Sequence, residues 1–173
     1  DSTMRAGWNK LPATSSEIST IRSTMQANGI ETAVYTLDEG TEESFKALSG
    51  TKTPIIHIAT HGFFYKDEET KGKAFFETLS MSHNNQPDNS LKRSGLILAG
   101  AQKAWLGEPI PDDVEDGILL AEEIATMDLT GTDLVVLSAC ETGLGEITSE
   151  GVFGLQRAFK KAGVQTLIMS LWT

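Results

Sequence analysis

The chain carries one cysteine, Cys140, so it cannot close an internal disulfide. A single thiol fits a reducing compartment, and a cytoplasmic location is the expectation. No apolar run approaches the roughly 18 residues that a bilayer-spanning helix needs. Basic residues are scarce: 14 Lys and Arg stand against 24 Asp and Glu, for a formal net charge of −10. Too few cations are present to neutralise phosphates, which argues against nucleic acid and anionic membranes as partners. There is no internal repeat and no low-complexity segment. The glycines at 143, 145 and 151 do not have the G-x-G-x-x-G spacing of a dinucleotide loop. His57 and His61 lie four apart on an extended run rather than on a helix, unlike the HExxH pair, so no metal and no cofactor is expected. At 173 residues the chain amounts to one domain, long enough to bury about two thirds of the surface its unfolded form exposes. Its start at Asp1 and its end just after an apolar run suggest part of a longer multidomain protein.

What is present is a pair of short apolar runs that end in reactive residues. Pro54-Ile55-Ile56-His57-Ile58-Ala59-Thr60 leads into His61-Gly62, and Asp133-Leu134-Val135-Val136-Leu137-Ser138-Ala139 leads into Cys140-Glu141-Thr142-Gly143. Each reads as a fully buried parallel strand, and open α/β sheets keep their active sites at the C-terminal ends of such strands. A thiol and an imidazole at one sheet edge are the minimum parts of a cysteine hydrolase. Gly62 is expected to let the backbone turn after His61, and Gly143 and Gly145 to turn it after Cys140. Amides aimed at one spot there would form an oxyanion hole. A lone cysteine at a strand end is by itself more often a buried core residue, and the matching His-Gly pair shifts that balance. His57, flanked by apolar residues, reads as a packed or hydrogen-bonded histidine rather than a ligand, and His83 as exposed in a polar loop.

Along the chain, Thr14-x-x-Glu17 has capping-box spacing and precedes Ile18, Ile21 and Met25 at helical intervals, with Asn28-Gly29 as the stop. Residues 31–37 alternate like an edge strand, and Thr41-Glu42-Glu43 opens a short helix closed by Gly50. Alternating helices and strands predict a parallel α/β sheet. Residues 62–93 read as a long loop with a hairpin around 75–81, then 94–99 as a strand and 100–117 as an irregular acidic stretch. Helices are expected over 118–127 and 150–162, and a last strand over 165–172.

His57-Ile58-Ala59-Thr60-His61-Gly62, Leu134 to Gly143, Glu150-Gly151-Val152 to Ala162-Gly163, and Ser170-Leu171-Trp172 together resemble the successive motifs of the CHAT domain, a family grouped with caspases and separase. The likeness extends upstream through Leu11-Pro12-Ala13 and so covers nearly the whole chain. It implies a three-layer, caspase-like α/β fold with a mostly parallel central sheet flanked by helices. Residues 1–173 would be the larger, N-terminal portion of one domain whose C-terminal part lies beyond Thr173. It implies a cysteine endopeptidase that works through a Cys140/His61 dyad without a third member, with the backbone N–H groups of Gly62 and Cys140 as oxyanion donors. Ser138 stands where caspases have the glutamine of Gln-Ala-Cys, so Ser138 and Glu141 become pocket candidates and an aspartate preference is not expected. A basic and a small apolar residue before the cleaved bond are both open. Glu141, Glu146, Glu150, Asp112, Asp113, Glu115 and Asp116 would tolerate a cationic substrate, most of them as solvated surface. The expected partners are a protein or peptide substrate, the remainder of the domain, and fused repeat or sensor modules. A catalytically silent scaffold is the alternative.

Overall fold

The computed structural model describes residues 8–9, 11–64, 89–140 and 149–170. Five strands form one sheet in the order β3-β2-β1-β4-β5. They are β1 (Ile55–Phe64), β2 (Ser94–Ile97), β3 (Ile118–Leu120), β4 (Leu134–Cys140) and β5 (Thr166–Met169). The helices are α1 (Pro12–Ala27), α2 (Glu42–Lys46), α3 (Ala101–Leu106), α4 (Ala121–Ile124) and α5 (Ser149–Lys161). Only half the sheet matches the expectation of a mostly parallel arrangement. The β1–β4 and β4–β5 pairs are parallel, whereas β1–β2 and β2–β3 are antiparallel.

Successive strand residues face opposite sides, which divides the core in two. On one face Ile56, Ile58, Val135, Leu137, Leu96 and Leu119 pack under Ile124 of α4 and Leu155, Ala158 and Phe159 of α5. On the other, Phe63, Ile97, Ile118 and Leu120 meet Ala101, Ala104 and Trp105 of α3. The expectation of two fully buried strands therefore needs correcting. Ile56 and Ile58 are buried, but His57, Ala59, Val136 and Ser138 on the second face are only half-buried. That stretch of sheet lies under α1, none of whose residues is buried. Its inward stripe of Leu11, Thr14, Glu17, Ile18, Ile21 and Met25 is half-buried throughout.

The helix starts differently from the capping-box reading. Pro12 takes the first helical position, and Thr14 Oγ1 donates to the Leu11 carbonyl at 2.7 Å instead of capping the helix. The stop at Asn28-Gly29 is as expected, with Gly29 in the left-handed region. At α2 the Thr41 hydroxyl accepts from the Ser44 N–H, an N-cap the sequence indicates.

Residues 31–36 belong to no strand among the described residues, and Tyr35 and Leu37 stay 55% and 82% exposed. Alternation alone does not make a strand where no ladder partner adjoins it. Residues 118–120 are a strand, not the start of a helix. Gly117, at φ +78°, turns the chain, and Ile118, Leu119 and Leu120 are all buried by the sheet. The helix begins only at Ala121, where Glu123 accepts the Leu120 N–H at 2.9 Å. The acidic stretch 100–117 contains α3. The expected hairpin at 75–81, His83, the glycine turn after Cys140, Glu141 and Glu146 lie outside the described residues.

Candidate active site

In the parallel ladder of β1 and β4, Ala59 stands opposite Ser138 and His61 opposite Cys140. Adjoining strands lie about 4.8 Å apart, so the two candidate residues occupy neighbouring backbone positions on one rung. By the alternation of strand faces, positions 57, 59 and 61 share a face with positions 136, 138 and 140. His61 also pairs with Ile97 of β2 on its other side. It thus stands where the parallel half of the sheet joins the antiparallel half.

His61 does not end its strand, and the expected turn at Gly62 is absent. β1 runs on to Phe64, with Gly62 opposite Leu96. A Cβ at Gly62 would meet only ordinary contacts, 3.6 Å from Ala139 Cβ and 3.7 Å from the Gly95 oxygen. The added residues belong here because Phe63 is buried against Trp105, their rings 6.3 Å apart.

His61 is 7% exposed, and its Nε2 lies 2.6 Å from the carbonyl oxygen of Asn9. A carbonyl can only accept, so Nε2 carries a proton, and in the neutral ring Nδ1 holds the lone pair. Trp8 packs against the imidazole with centroids 5.1 Å apart and against Trp105 at 4.9 Å. The Trp8 amide donates to Gln102 Oε1 at 2.9 Å, which ties this segment to α3. Asn9 and Trp8 are the contributors that sequence reasoning missed. Asn9 acts through a main-chain carbonyl, a group every residue has; the only available signal for Trp8 was an aromatic residue just ahead of the first helix.

One rung down from His61, α1 reaches the sheet through a carboxylate. Glu17 Oε1 lies 2.9 Å from His57 Nε2, and Glu17 Oε2 accepts from Ser138 Oγ at 3.2 Å. His57 is thus hydrogen-bonded and partly buried, as its sequence neighbours suggested. Ser138, expected near the pocket, sits on the same face as His61, and its hydroxyl is engaged by Glu17.

A second polar cluster lies on α2. Lys46 Nζ contacts Glu42 at 2.7 Å, Glu123 at 2.8 Å and Glu115 at 2.9 Å. Glu42 is 1% exposed, and its other oxygen accepts the Gly117 N–H at 3.0 Å. Burial pushes the Glu42 carboxyl up to about 7, against the lowering effect of its bond to Lys46. Burial also works against the Lys46 charge, but the bonds to Glu123, Glu42 and Glu115 outweigh it and raise the ammonium above its ordinary value. The three carboxylates are close enough together to hold a metal ion, yet the Lys46 ammonium already supplies their cation. Glu115 and Asp116 are therefore more than solvated surface. Asp116 accepts the Ile118 N–H at 2.7 Å, and burial raises its carboxyl. Asp112 and Asp113 are exposed, as expected.

These features define a mixed α/β domain, a five-stranded sheet flanked by helices, with an imidazole and a cysteine on one rung between its central strands. The CHAT domain family matches residues 1–173, and the chain belongs to that family. Tetratricopeptide repeat protein 28 of Homo sapiens is 28% identical over 173 residues, a match covering 95% of this chain and 6% of that protein. The chain therefore corresponds to a small part of that relative's length. No solved structure matches the chain. The family is related to caspase-like peptidases, and no helix among the described residues is long and apolar enough to cross a membrane.

Proposed function

We propose that this domain is a cysteine endopeptidase of caspase-like fold, with Cys140 as nucleophile and His61 as its acid–base partner. The observation that carries the reading is the backbone register that sets His61 opposite Cys140 on adjoining parallel strands. The Cys140 thiolate adds to the peptide carbonyl carbon, and the resulting oxyanion is held by the backbone N–H groups of Gly62 and Cys140. The C–N bond then breaks as the His61 imidazolium protonates the leaving amine. Water hydrolyses the thioester, with the imidazole accepting its proton, and frees the thiol. The Asn9 carbonyl holds the ring in the tautomer that this cycle uses.

The helices over both sheet faces form the outer layers of the fold. The C-terminal remainder of the domain completes the pocket, and fused repeat modules, as in the tetratricopeptide repeat relative, regulate access in the cytoplasm. Cys140→Ala is expected to abolish peptide cleavage while far-UV circular dichroism stays unchanged; retained turnover would remove Cys140 from the mechanism. A purely scaffolding domain is the rival reading, and thiol labelling separates the two. Iodoacetamide should modify Cys140 rapidly at neutral pH and at least about tenfold more slowly after His61→Ala. A slow reaction indifferent to His61 would favour the scaffold.

A further inference from the structure

We propose that Glu17 is a specificity-determining residue, its carboxylate receiving the cationic head of a lysine or arginine side chain immediately before the cleaved bond. This rests on the peptidase reading above and names its substrate class.

The bond to be cleaved must lie over the His61/Cys140 rung. The preceding rung on that face is Ala59 opposite Ser138, two residues or about 6.6 Å back along the strands. Ala59 and Ser138 present only small side chains there, both half-buried, and a long unbranched side chain directed back from the reacting carbonyl can span two strand residues. At the far end of that path is the Glu17 carboxylate, fixed by His57 on one oxygen and Ser138 on the other. Each carboxylate oxygen has two lone-pair sites, so one hydrogen bond apiece leaves acceptor capacity on both.

The charge also has room for a partner. Neither an imidazole nor a hydroxyl is a permanent cation, and among the described residues no lysine or arginine pairs with Glu17. Its side chain remains 32% exposed, consistent with a group that solvent, and hence a substrate, can reach. By contrast, the carboxylates of Glu42, Glu115 and Glu123 already share Lys46. A net charge of −10 favours the approach of a cationic segment over an acidic one.

The test compares peptidyl chloromethyl ketones that end in lysine, leucine or aspartate, each forming a thioether at Cys140 with loss of chloride. Each labelling rate on the full chain is divided by the iodoacetamide rate of the same variant, and far-UV circular dichroism checks that the variant is folded. The lysyl reagent is expected to react at least about thirtyfold faster than the other two in the wild type. Glu17→Gln, nearly isosteric, is expected to cut the lysine-to-leucine ratio by about tenfold or more. A wild-type preference for leucine or aspartate, or a ratio that Glu17→Gln leaves alone, overturns the proposal. Because the wild-type preference alone can do so, a variant that fails to fold does not rescue it. The peptidase reading is judged separately by the dependence of iodoacetamide labelling on His61. If that dependence is missing, both readings fall; if it is present and the lysine preference is missing, only the role of Glu17 does.

Discussion

The contacts around His61 each remove a different freedom. The two ladders hold its backbone, the Asn9 carbonyl determines which nitrogen bears the proton, and Trp8 limits the plane of the ring. Trp8→Ala would leave the ladders and the carbonyl while freeing the ring. It is expected to slow iodoacetamide labelling of Cys140 about tenfold and to lower stability by roughly 2 kcal/mol, less than for a fully buried tryptophan because Trp8 is partly exposed. An unaltered labelling rate, measured alongside a urea titration, would show that the indole has no part in orienting the ring. At this scale the sequence exposed His61 and Cys140 because each follows an apolar run. It hid Asn9, whose contribution is a main-chain oxygen, and it hid the role of Glu17, which depends on where α1 lands.

Elements differ in how tightly their neighbours hold them. Gly95 of β2 shows a tight fit inside the sheet. A Cβ there would lie 2.5 Å from the Leu119 oxygen and 2.8 Å from the Phe63 ring, a carbonyl in a ladder and a buried aromatic that cannot easily yield. Gly95→Ala is expected to destabilise the fold by about 3 kcal/mol, as overpacking does, whereas Gly62→Ala with its ordinary contacts stays within about 1 kcal/mol. Chemical denaturation of the two variants checks the contrast, and equal midpoints would contradict it. Helices with a clear apolar stripe and a glycine stop, such as α1, were legible in the sequence. So were β1 and β4 as strands, from their β-branched Ile and Val runs, although only one of their faces is fully buried. The segments that misled are those decided by partners. Residues 31–36 alternate correctly but have no neighbouring strand among the described residues, while Ile118-Leu119-Leu120 fits a helix stripe until Gly117 turns it into the ladder with β2. The extension of β1 through Phe64 was hidden in the same way, because a glycine after a histidine suggests a turn until β2 is seen beside it.

For the molecule as a whole, the Lys46 cluster links stability to pH. It joins α2 to the loop before β3, through Glu115 and Gly117, and to Glu123 on α4. With its carboxyl raised from 4.5 to about 7, Glu42 keeps a proton in the folded chain that the unfolded chain has released. Its contribution to stability therefore falls as pH rises through that window and stays low above it. Glu42→Gln imitates the protonated form at every pH. Its stability relative to wild type is expected to climb from near zero at pH 4.5 to on the order of 1–3 kcal/mol above pH 7, measured by urea unfolding across the range. A difference that shrinks with rising pH would contradict this account.

The position of His61 at the seam of the sheet has a consequence for folding. A slip of one residue against β4 would turn the imidazole to the opposite face, and the same slip would unmatch the four pairs that β1 makes with β2. Two ladders of opposite direction therefore check a single alignment, much as two keys open one lock. A chain that refolds out of step keeps its helices yet loses the rung, so thiol reactivity reports correct assembly where circular dichroism does not.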